Sequence, residues 1–108
     1  MKVLLAIDGS PYTKKTLAYL NTHEELIAGT HQFTALTVQP PLPPRARAAL
    51  GKAVVEQYYA EQGEKVLAPV SKYLERHKVQ FTPQIKVGAA GETIAKVATE
   101  GEFDLIVM

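Results

Sequence analysis

Asp8 is the residue of this sequence best placed to do chemistry. It follows the apolar run Val3-Leu4-Leu5-Ala6-Ile7 and precedes Gly9-Ser10. An ionised carboxylate only accepts hydrogen bonds, so any ligand it recognises has to bring the donors. Asp-Gly is also a common turn pair, and an aspartate there can help cap a following helix. The two roles are compatible. The remaining chemistry-bearing residues build no site by spacing alone. His23, His31 and His77 are scattered, without the helical or hairpin spacing of metal ligands. Ser10 and Ser71, the only serines, belong to no recognisable motif with histidine and aspartate, and cap and helix-surface roles suit them better. Arg45 and Arg47 could clamp a phosphate beside an anion site, but solvated loop charges are the simpler reading. Tyr58 and Tyr59 suit helix packing or a dimer surface rather than base stacking, since no basic stripe accompanies them.

Positioning Asp8 falls to an alternation of strands and helices. Val3 to Ile7 is continuously apolar, as in a strand covered on both faces. Ser10 is predicted as an N-cap with Pro11 at the first helical position. The helix that follows carries Leu17 and Leu20 inward, with Tyr12 a further candidate. Thr22-His23-Glu24-Glu25 reads as a capping box that restarts a short helix, closed by Gly29. Phe33 to Val38 is the second strand. Pro40-Pro41-Leu42-Pro43-Pro44 continues neither element and predicts an irregular loop. From Ala46 to His77 the pattern is helical, with Val55, Tyr59, Val66, Val70, Tyr73 and His77 as the inward stripe. Pro69 predicts a kink or break between Lys65 and Pro69. Phe81 to Val87 is a third strand, with Phe81, Pro83, Ile85 and Val87 on one side. After Gly88-Ala89-Ala90-Gly91, a helix from Glu92 to Glu100 buries Ile94, Val97 and Ala98 and is capped by Gly101. Phe103 and Leu105 to Met108 make the fourth strand.

Such alternation argues for an α/β fold of βαβ units with a parallel, right-handed, doubly wound sheet. If the sheet grows one way and then reverses, its order is 3-2-1-4. The carboxyl ends of strands 1 and 4 then flank the switch point where ligands of open sheets bind. Periodicity alone does not establish that order.

With 108 residues the chain is expected to be a single domain with a core large enough to need no staples. It has no cysteine, which fits a reducing compartment. Twelve Lys and Arg against eleven Asp and Glu produce no field that would draw it to nucleic acid or anionic membrane. No apolar run suits a signal peptide or a membrane helix, so the expected protein is soluble and cytoplasmic.

Four segments taken in order carry a family resemblance. They are Val3-Leu4-Leu5-Ala6-Ile7-Asp8-Gly9-Ser10, Ala35-Leu36-Thr37-Val38, Val87-Gly88 with Glu92-Thr93-Ile94, and Asp104-Leu105-Ile106-Val107-Met108. In order and spacing the chain resembles the universal stress proteins. The resemblance implies the Rossmann-like doubly wound sheet, frequent homodimers, and either an adenine-nucleotide-binding or a non-binding group. In the binding group, which takes ATP or AMP, adenine lies against positions that match Asp8, Val38 and Met108, with Ala6 on the same wall. That implies a nucleotide-binding regulatory module in stress response, at most a slow ATPase. The alternative is a nucleotide-free dimerising interaction protein of the same fold.

One departure is large. The binding group's phosphate loop, of type G-x2-G-x9-G-[ST], follows the match to Met108. It would supply amides to the phosphates. The sequence stops there, so the loop, its helix and a fifth strand are expected to be missing from an incomplete domain. Gly88-x2-Gly91-x9-Gly101 has the same spacing, but Glu102 replaces the hydroxyl residue and Glu92 would repel phosphate. Those glycines are predicted to serve as turn and helix cap. Asp8-Gly9-Ser10 also lacks the S-G-G-x-D-S run of ATP pyrophosphatases.

Overall fold

The computed structural model describes residues 1–23 and 31–108, without the Tyr12 side chain. The predicted inward placing of Tyr12, and the capping box and Gly29 proposed after Thr22, therefore lie outside the described residues. Strands β1 (Lys2–Ala6), β2 (Gln32–Gln39), β3 (Phe81–Val87) and β4 (Leu105–Val107) form one parallel sheet in the order β3-β2-β1-β4. Their connections carry helices α1 (Tyr12–Thr22), α2 (Pro44–Leu50), α3 (Lys52–Arg76) and α4 (Ala90–Glu100). The expected α/β fold and strand order are both present.

The apolar runs of β1 and β2 are explained by their central position. Val3, Leu5 and Ile7 share one face with Phe33 and Ala35, and there meet Leu20 of α1 and Leu67, Val70 and Leu74 of α3. Leu4 and Leu36 point to the opposite face, and both are fully buried. Edge strand β3 alternates less cleanly. Phe81 and Ile85 pack on the core, whereas Pro83, opposite Ala35, and Val87 are exposed. An edge is where a strand can spare the amide that proline lacks.

The long helical segment departs from expectation in two ways. Its break falls at Gly51 and not near Pro69. Gly51 stands at φ 85° and ψ 160°, a conformation essentially reserved for glycine. Pro69 stays inside α3, because it and Lys65 are both exposed, so the carbonyl it leaves unpaired faces water. The buried stripe is also rotated. It runs through Val55, Gly63, Leu67, Val70 and Leu74, while Val66 and Tyr73 flank it and His77 is exposed. Gly63 belongs to it because Ile85 lies 2.6 Å from where a Cβ would sit. Tyr59 is half-buried, and its hydroxyl accepts the Leu42 amide at 2.8 Å, which anchors the proline loop.

Smaller corrections concern helix ends. The N-cap position of α1 is Pro11, one residue after Ser10, so the proline precedes the first turn instead of opening it. Helix α4 begins at Ala90, and Ile94, Val97 and Ala98 are half-buried. Gly101 ends it without a left-handed turn; that conformation falls on Glu102, at φ 53°. Gly101 is needed for room, since the Phe103 ring would stand 2.5 Å from its Cβ. No helix among the described residues is long and apolar enough to cross a membrane.

Candidate functional site

Parallel pairing brings the carboxyl ends of β1, β2 and β4 to one edge of the sheet. Ala6 pairs with Leu36, and Leu5 with Val107, so Ala6, Leu36, Val38 and Met108 share the face covered by α4. Between this face and the first turns of α1 and α4 lies a cavity of 260 Å³. Its walls are Ala6, Ile7, Asp8, Thr13, Thr16, Leu36, Val38, Ala90, Ile94 and Met108. Ala6, Asp8, Val38 and Met108, the four residues singled out in the sequence, thus come together around one space. They are far apart in the chain, and the sheet order alone makes them neighbours.

Asp8 sits just beyond β1, where Gly9 turns the chain at φ 77° toward α1. The Asp8 carboxylate accepts the Ser10 amide at 2.9 Å and the Ser10 hydroxyl at 2.6 Å, both on Oδ1. This is the local side-chain turn that Asp-Gly sequences favour, so the turn role is real. The Ser10 hydroxyl first, and its amide second, hold the Asp8 carboxyl below its ordinary value of 3.8. The group is therefore ionised at neutral pH, with Oδ2 able to accept from a guest. Among the described residues, Asp8 is the only charged one of the lining. The rest is an apolar slot with two hydroxyls, which suits a flat, largely apolar body carrying donors on its edge.

Other candidates lie elsewhere. Arg45 and Arg47 are exposed on α2 and do not line this cavity. Tyr58 and Tyr59 stack edge to face, 5.9 Å between ring centres, on α3. A larger trough of 1020 Å³ runs along the β2–β3 edge past Lys2, Thr34, Gln84, Lys86 and Glu100, away from the switch point. The smaller cavity is the better candidate because it lies where open α/β sheets bind their ligands. Sequence reasoning missed Ile7, Leu36, Ala90, Ile94, Thr13 and Thr16 as walls. The signal for the threonines was present: Thr13, Thr16, Leu17 and Leu20 follow the one-face spacing of an amphipathic helix.

The profile of the universal stress protein family matches residues 1–108. The chain belongs to the universal stress protein family. Solved structures of the family share its fold. A universal stress protein family member from Burkholderia pseudomallei superposes with a TM-score of 0.72 at 20% identity, over 99% of this chain and 79% of that one. A universal stress protein family protein from Arabidopsis thaliana, solved with AMP bound, gives 0.71 at 14% identity, over 98% and 74%. At such identities the likeness concerns the fold. No functionally curated protein matches this family member in sequence.

Proposed function

We propose that this universal stress protein is an adenine-nucleotide-binding regulatory module of the stress-response type. ATP or AMP would bind with its adenosine end in the switch-point cavity. The observation that carries this reading is the meeting of Ala6, Asp8, Val38 and Met108 around one cavity of 260 Å³. Ala6, Val38 and Met108 offer apolar surface to the faces of a base, and Asp8 offers an acceptor to an amino group or a ribose hydroxyl. The size supports a nucleoside end within, at the small end of ligand sites, with phosphates directed outward. AMP bound to a protein of the same fold is further support. Binding rather than turnover is the proposed activity. The module is taken to be a cytoplasmic homodimer, which rests on family membership alone.

Calorimetric titration of the 108-residue chain with adenosine, AMP, ATP and guanosine tests the proposal. Adenosine and AMP are expected to bind one per chain, guanosine weakly, and ATP no more tightly than adenosine, because the charge that the described lining carries, at Asp8, is negative. Absence of binding at millimolar adenosine would overturn it.

A further inference from the structure

We propose that Thr13 is a recognition residue of the cavity, its hydroxyl donating to a ring nitrogen of the bound base; the inference rests on the adenine reading above. Thr13 is 7% exposed, on the first turn of α1, and lines the cavity. Its Oγ1 is buried without a hydrogen-bond partner. Its amide, by contrast, is satisfied by the Ser10 carbonyl at 2.9 Å. A valine would fill the same volume without placing a hydroxyl where neither protein nor solvent pairs with it, so the threonine is the more costly choice for packing alone. The opposing walls make the vacancy reciprocal. Ile7, Leu36, Val38, Ile94 and Met108 offer no side-chain donor, so a base nitrogen entering there needs one as much as Thr13 needs an acceptor. Helical threonine has two accessible χ1 wells, so binding would select the one that turns the hydroxyl toward the cavity that Thr13 lines. Asp8 accepts and Thr13 donates. Together they would read a base edge that presents both kinds of group.

The test is a double-mutant cycle between protein and ligand. Wild type, Thr13→Val and Thr13→Ser are titrated with adenosine and with its deaza analogues, in which N1, N3 or N7 is replaced by C–H. Thr13→Val is expected to bind adenosine about three- to tenfold more weakly, the range of one neutral hydrogen bond. Thr13→Ser should stay within about twofold of wild type. One analogue should lose a similar factor against wild type and nothing further against Thr13→Val. The unliganded melting temperature of Thr13→Val should be no lower than that of wild type, because no protein hydrogen bond is lost. Undiminished adenosine affinity in Thr13→Val, equal losses with every analogue in both proteins, or a lower unliganded melting temperature would each overturn the role of Thr13 while leaving adenosine binding intact. Failure of wild type to bind adenosine would instead remove the adenine reading, and this inference with it.

Discussion

Replacing Asp8 with alanine should separate its two roles. The Asp8 carboxylate accepts two hydrogen bonds from Ser10 at 2.9 and 2.6 Å, and both fall on Oδ1. Asp8 is exposed, so each bond is worth the low end of the usual range, about 0.5 kcal/mol. Their joint loss is then about 1 kcal/mol, or a melting temperature lower by about 4–8 °C in a domain of this size. The ligand arm is larger. A guest donor facing a charged acceptor in a partly enclosed cavity accounts for about 1.5–3 kcal/mol, roughly ten- to more than a hundredfold in affinity. Because the contact is to the nucleoside end, adenosine and ATP should lose affinity by a similar factor. Asp8→Asn keeps an acceptor and the capacity for the same turn, so it should melt near wild type and retain part of the affinity. Thermal melts paired with calorimetric titrations of both variants read all of these. A lower melting temperature with undiminished affinity would leave Asp8 a turn residue only. A loss confined to ATP would refute the contact to base or ribose.

Three further outcomes follow from the same geometry. Since the Asp8 carboxyl titrates below 3.8 in the folded state, its contribution to stability is present above that value and is lost as pH falls through the folded-state midpoint. An NMR titration of the carboxyl carbon should show that low midpoint in wild type and a higher one in Ser10→Ala; an unmoved midpoint would clear the Ser10 hydroxyl as its cause. Gly63→Ala should cost about 1–3 kcal/mol in chemical denaturation, because Ile85 lies 2.6 Å from the new methyl. Combining it with Ile85→Ala should recover about 1 kcal/mol or more of that, and strict additivity would show that Ile85 is not what requires glycine there. Pro69→Ala restores an amide to the Lys65 carbonyl on the exposed side of α3, and should stabilise the fold by about 1–2 kcal/mol after the added freedom of the unfolded chain. Unchanged or lower stability would mean that the proline ring packs in a way its exposure conceals.

Local chemistry in the sequence determined the elements and the turn at Asp8. The uninterrupted apolar run before Asp8 requires a strand covered on both faces, and Asp8-Gly9-Ser10 closes on itself within three residues. The residues that line the cavity were legible where they end strands, because sheet order brings strand ends together regardless of side-chain detail. That order was not legible from periodicity. It depends on which strand edges meet, and the resemblance to a family supplied it. Only the tertiary structure decided the rest. Pro69 carries a strong local signal against a helix, but tertiary packing of Leu67, Val70 and Leu74 holds α3 continuous around it, and the cost is borne on the solvent side. The quieter Gly51 breaks the segment instead, through a backbone conformation that no residue-type pattern announces. Gly63 reads as a helix-weakening residue until Ile85 is seen against it. Thr13 reads as an ordinary first-turn threonine, and only the approach of three strand ends shows its hydroxyl buried and unpaired beside a cavity. In each case the deciding contact joins residues far apart in the chain, and a sequence records spacing along the chain but not across it.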